Sequence, residues 1–153
     1  MKLIAAVLLF AAMALPAGDP PGFHLWTSKE LNSYAKTLAP KMSAQKVASE
    51  TIASHGNYLF MVAHREGPGE AEYHEKQADI FVVESGEGSL IYGGSLVNGK
   101  TTAPNEMRAP SIKGGQEKKF GPGDVVTIPA RVPHQMIVPK GGEVTYFVVK
   151  ITQ

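Results

Sequence analysis

The 153-residue chain contains no cysteine, which excludes a disulfide framework, a thiolate metal site, a cysteine nucleophile and a lipid anchor on cysteine. It also lacks a surplus of either charge, since 15 lysines and arginines against 14 aspartates and glutamates leave a formal net charge of +1. That balance supplies none of the basic footprint that nucleic acid or an anionic membrane requires, so neither is expected as a partner. No internal repeat or low-complexity tract stands out. The one long apolar run, Leu3 to Leu15, has 13 residues, short of the about 20 that a membrane-spanning helix needs. Chemistry in this chain must rest on histidine, carboxylates and other nitrogen or oxygen donors.

What is present begins with a leader. Lys2, the apolar run, then Pro16 and Ala17 before Gly18-Asp19-Pro20-Pro21-Gly22 follow the charged, apolar and small-residue order of a secretory signal over residues 1–17. Cleavage after Ala17 and cleavage after Ala14 both satisfy the pattern. The former removes Lys2 and no acid, leaving 14 bases and 14 acids. The expected address is periplasmic or extracellular, with no membrane attachment after cleavage.

Residues 18–46 read as an extension with one helix. Thr27-Ser28-Lys29-Glu30 is a capping-box pattern, and Leu31, Tyr34, Ala35 and Leu38 follow at helical spacing until Pro40, which predicts a helix over about 28–39. With Trp26 it is expected to cover one edge or end of the rest, or to act as a lid. From Val47 to the end, short β-rich stretches alternate with glycine and proline turns, the texture of an all-β sandwich or barrel over 47–153. Strands are predicted near 47–54, 57–65, 70–75, 78–84, 88–92, 95–98, 118–120, 125–128, 134–138 and 143–151. The stretch from Thr101 to Lys119 is the least regular and reads as a functional loop. Met61, Phe81, Val83, Met136, Val138, Tyr146 and Val148 alternate with their neighbours and are expected to face inward. His24 and His55 are expected to be exposed, and His64 lies on a strand of undetermined facing.

Two segments carry the chemistry. In the first, Glu72 and His74 stand two residues apart on a strand and so share one face, with Asp79 after a short turn and Gly86 closing the segment. In the second, Gly123, Pro129 and His134 set a histidine just after a tight proline turn, at the head of a strand. Two imidazoles and two carboxylates can then converge.

These segments resemble the paired motifs of the cupins, small double-stranded β-helix or jelly-roll barrels. Gly123, Pro129 and His134 match the second cupin motif, while His74 and Gly86 match the second histidine and the final glycine of the first. Four positions depart from it. Glu72 stands for the first histidine, Asp79 for the glutamate, Arg131 for a glycine and Val138 for an asparagine.

The resemblance implies a metal held by Glu72, His74, Asp79 and His134, a donor set that favours Mn or Fe, with Zn or Ni also suited. It leaves open a metal-free pocket that binds a sugar or small carboxylate without turnover. As an enzyme such a cupin would be an oxygenase, isomerase or lyase acting on a small polar metabolite. Glu72 is then the candidate catalytic base, its carboxyl raised against an apolar wall. Arg131 can present its planar fork to a substrate carboxylate or simply stand solvated in its turn. Phe81 and Met136 are expected against the ligand, and a homodimer is the implied assembly.

Overall fold

The computed structural model describes residues 18–153; the secretory leader expected over 1–17 lies outside the described residues. Among those described, no helix is long and apolar enough to cross a membrane. Helix α1 spans Ser28–Leu38, as the capping box predicts: the Thr27 hydroxyl accepts from the Glu30 amide at 3.2 Å, and the Glu30 carboxylate accepts from the Thr27 amide at 2.8 Å. Such a cap stabilises a helix by about 1 kcal/mol. Pro40 falls in a single 3₁₀ turn, Ala39–Lys41, that ends the element.

Thirteen strands follow: β1 (Val47–His55), β2 (Tyr58–Arg65), β3 (Ala71–His74), β4 (Gln77–Gly86), β5 (Gly88–Tyr92), β6 (Ser95–Val97), β7 (Lys100–Ala103), β8 (Glu106–Ala109), β9 (Ser111–Lys113), β10 (Gln116–Phe120), β11 (Val125–Ile128), β12 (His134–Ile137) and β13 (Val144–Thr152). They form a five-stranded sheet in the order β1-β2-β13-β4-β11, a six-stranded sheet in the order β10-β5-β12-β3-β8-β7, and a small β6-β9 pair. Every pairing is antiparallel. This is the all-β jelly-roll expected from the strand texture.

The core follows from the alternation. Phe81, Val83, Met136, Val138, Tyr146 and Val148 are buried in one cluster between the sheets, with Met61 packed against it. Burying each such side chain favours folding by roughly 1.5–3 kcal/mol. A second cluster joins Leu31 and Leu38 of α1 to Ala48 and Val62, with Trp26 and Phe147 packed beside them. The helix therefore covers the outer face of the five-stranded sheet. No residue of α1 lines the cavity between the sheets, to which the N-terminal part of the chain contributes Gln45, Val47 and Ser49 instead.

Residues 101–119 are not a loop. They contribute most of β7, β8, β9 and β10; the strand predicted near 118–120 is the end of β10, and its start and β7 escaped prediction because β7 is fully exposed and β10 is exposed except at Phe120. Edge strands facing water carry no apolar alternation.

Candidate metal centre and ligand cavity

Strand register brings the site together. His134 on β12 lies directly across from Glu72 on β3, and on the other side of β3 Glu72 pairs with Arg108 and His74 with Glu106 of β8. The opposing sheet pairs Asp79 of β4 with Lys150 of β13. Between the two sheets lies a cavity of about 330 Å³, within the range of small-molecule sites. Phe81, Met136 and Tyr146 form part of its apolar wall, while Arg65, Glu72, Asp79, Arg108, His134 and Lys150 supply its polar side.

At the centre, His74 Nε2 stands 3.5 Å from Glu72 Oε2 and 3.4 Å from Asp79 Oδ2, and His134 Nε2 is 3.8 Å from the same Asp79 oxygen. Donor atoms of Glu72, His74 and His134 all lie within 4.8 Å of one another. Each histidine is oriented from behind. His74 Nδ1 meets Glu106 Oε2 at 2.6 Å and His134 Nδ1 meets the Val132 carbonyl at 3.0 Å. Both partners are acceptors only, so each Nδ1 carries its proton and each Nε2 is turned to the cavity. This is the outer-sphere support that metal-binding histidines ordinarily have. The donor set therefore fits a divalent ion.

Cations share the space. Lys150 Nζ donates to both Asp79 oxygens at 2.8 and 2.6 Å and lies 3.2 Å from His74 Nε2. Arg65 donates from Nη2 to Glu72 at 3.2 Å and from Nε to the Tyr146 hydroxyl at 2.8 Å. Arg108 is 3.4 Å from Glu72 and donates to Glu106 at 3.1 Å. Asp79 is thus gathered into the site, but its carboxylate is held by lysine.

The electrostatics follow. Burial would raise the Glu72 carboxyl, but contact with His74 and the charges of Arg108, His134 and Arg65 overcome it and hold the group well below the carboxylate range. The raised Glu72 expected from an apolar wall is thereby reversed: flanked by two arginines, it is a weak base. Asp79 is likewise lowered, burial being outweighed by His74 and Lys150. For His74, burial opposes protonation, yet contacts with Asp79 and Glu72 push the ring up to about 9. Burial depresses His134, leaving it neutral with a free Nε2 lone pair at pH 7.

Arg131 is exposed and does not line the cavity. Its φ of 67° explains why glycine suits this turn: only the backbone is used, the Arg131 amide donating to the His74 carbonyl at 2.8 Å. The arginines that line the cavity are instead Arg65 and Arg108. Sequence reading missed these, and Glu106 and Lys150 with them. Lys150 had a signal, because it continues the inward series Tyr146, Val148; Arg65 does the same after Met61 and Ala63.

No protein-family profile matches the sequence, and no curated protein matches it significantly. Solved structures do. A Thermus thermophilus protein superposes with a TM-score of 0.53 at 18% identity, covering 76% of this chain and 92% of its own. A cupin-2 domain protein of Rhodospirillum rubrum gives 0.51 at 16% identity over 71% of this chain and 62% of its own. The polyketide cyclase RemF of Streptomyces resistomycificus gives 0.51 at 15% identity over 71% and 67%. The chain has the cupin fold.

Proposed function

We propose that the chain is an exported cupin that holds a divalent ion with Glu72, His74 and His134 and acts on a small polar metabolite bearing a carboxylate or similar oxyanion. The convergence of two Nε2 atoms and one carboxylate, with both rings pinned through Nδ1, carries this reading. Mn or Fe is favoured, and Zn or Ni suits the same donors. When bound, the ion supplies Lewis-acid polarisation of substrate oxygens.

The rest is chemistry of the chain itself. Arg65, Arg108 and Lys150 face the carboxylates of Glu72, Asp79 and Glu106, three cations against three anions, and a bound dication tips this balance toward positive charge. An oxyanion is the ligand that restores neutrality. Arg108, the more exposed of the two arginines, presents its fork to that group. Lys150, whose ammonium donates to both Asp79 oxygens, is the cavity group left free of the ion to serve in proton transfer. RemF, of the same fold, is a polyketide cyclase, which supports turnover in such a barrel. The reaction class is drawn from oxygenase, isomerase and lyase.

A second reading has its own observation. Lys150 Nζ lies within contact of His74 and Asp79, so its ammonium can stand in for an ion in a metal-free site that binds a sugar or carboxylate without turnover. Elemental analysis of untagged protein purified without chelator separates the two. The metal reading expects an ion that disappears in Glu72→Ala and His134→Ala; if neither variant loses metal, even after loading with Mn, Fe, Zn or Ni, it fails.

Export places the mature chain in the periplasm or outside the cell, and mass spectrometry of the chain secreted by a bacterial host should find a start at residue 15 or 18. Both large sheets keep open edges, β1 and β11 on one and β10 and β7 on the other, which suits the homodimer we propose. Light scattering at the monomer mass would refute it.

A further inference from the structure

His64 turns away from the cavity. Its strand neighbours Ala63 and Arg65 line the cavity, so the alternation of β2 sends His64 to the outer face of the five-stranded sheet. There the residue is only 1% exposed. Nδ1 is 2.8 Å from the hydroxyl of Thr145, its direct partner on β13. Nε2 is buried without any hydrogen-bond partner. A buried polar atom left without a partner is unfavourable, so it marks a place where something is meant to bind.

That nitrogen is aimed at two carboxylates, Glu66 Oε1 at 3.7 Å and Glu143 Oε2 at 4.0 Å. Both distances exceed a hydrogen bond, yet the three donor atoms lie within 4.8 Å of one another. Among the described residues neither acid pairs with a lysine or arginine. We propose that His64, Glu66 and Glu143 form a second divalent-cation site, one imidazole and two carboxylates suited to Zn²⁺, with water completing the coordination.

The geometry asks little of the protein. Tetrahedral donors about 2.1 Å from zinc lie roughly 3.4 Å apart, so Glu66 and Glu143 must close on His64 by about 0.3 and 0.6 Å, and on each other from no more than 4.8 Å. Glu66 and Glu143, with side chains 36% and 64% exposed, have room to do so, whereas His64 is fixed. Two carboxylates neutralise the dication. Thr145 orients the ring from behind, as Glu106 and Val132 do in the cavity. The site would clamp the end of β2 to the entry of β13 on the face opposite the cavity, and so acts on stability rather than on turnover. Close packing already fixes one side of that entry: Gly86, at φ 79°, lies so near the Glu143 carbonyl that a Cβ there would collide with it.

The test is a Zn²⁺ titration of chelator-stripped, untagged full-length protein by calorimetry, with melting curves recorded alongside. Both acids are exposed enough for Glu66→Gln/Glu143→Gln to fold. This double variant should bind one fewer Zn²⁺ per chain, or bind it more than about a hundredfold more weakly, and should lose zinc-dependent stabilisation. Glu72→Ala should keep that ion. An unchanged zinc count in the double variant overturns the proposal, as does a wild type that binds no zinc. If the acids serve only as partners of a protonated His64, the double variant will melt lower without zinc and bind as much of it as wild type, which equally overturns it.

Discussion

Replacing Lys150 with methionine tests the central competition in the cavity, because two measurable effects should run in opposite directions. Without metal, Asp79 is held by Lys150 through both oxygens at 2.6 and 2.8 Å and is 5% exposed. One-sided removal of a buried ion pair costs about 3–5 kcal/mol. His74 remains 3.4 Å away and pushed up to about 9, so the loss should sit near 3 kcal/mol, the low end of that range. The ion gains instead. At an effective dielectric near 20 and a separation of about 4 Å, removing one positive charge beside a dication is worth about 8 kcal/mol. If four-fifths of that is already avoided in the wild type by Lys150 swinging aside, the remaining 1.6 kcal/mol or so still exceeds a tenfold change in affinity. Urea unfolding of the stripped protein should therefore show Lys150→Met less stable, and Mn²⁺ calorimetry should show tighter binding at the site lost in His134→Ala. Equal or weaker Mn²⁺ affinity in Lys150→Met would refute the reasoning, since it would mean that the ammonium does not compete with an ion.

The pH dependence of the stripped protein has a defined sign. His74 is raised from 6.5 to about 9, so its stabilisation is complete below about pH 6.5 and is lost as pH rises through about 9; denaturation midpoints should fall over that window, and His74→Gln should flatten the decline. Glu72 and Asp79 are lowered, so their contribution is present above the ordinary carboxylate range and disappears only as acid takes the pH down through their depressed values. Arg108→Ala should weaken binding of a small dicarboxylate by about tenfold or more, from loss of one charge-assisted contact, whereas Arg131→Ala should leave it unchanged; equal effects would put the anion outside the cavity. Glu106→Ala removes the acceptor behind His74 and should lower ion affinity by about 10–100-fold, read by calorimetry.

The site was legible where the two catalytically suggestive strands carried their own signals. Glu72 and His74 declare a shared face by their spacing, and Pro129 marks the turn before His134. What no single strand reveals is register. Glu106 and Arg108 lie half-buried on the four-residue strand β8, too short to announce itself, and only the pairing of β8 with β3 sets them opposite His74 and Glu72. The Glu72 carboxyl was misjudged for the same reason: a carboxylate against an apolar wall is raised, but two arginines from other strands reverse the sign.

Lys150 and Arg65 show how period-two reasoning reaches further than apolar residues. Each ends an inward apolar series, Tyr146 and Val148 for one, Met61 and Ala63 for the other. A long cation at such a position can leave the core or turn into it, and the choice depends on an acid waiting there. The β2–β13 ladder pairs Arg65 with Val144 and Lys150 with Leu59, so the two cations enter from opposite ends of the same sheet. Their targets differ, Glu72 for Arg65 and Asp79 for Lys150. These are the two motif positions where carboxylates depart from the usual cupin residues. A histidine in place of Glu72 would leave Arg65 facing a neutral ring in a buried site, and burying an unpaired guanidinium is costly. The substitution at Glu72 and the inward arginine are therefore mutually required, and reverting Glu72 to histidine should destabilise the fold unless Arg65 is replaced by an apolar residue such as methionine at the same time.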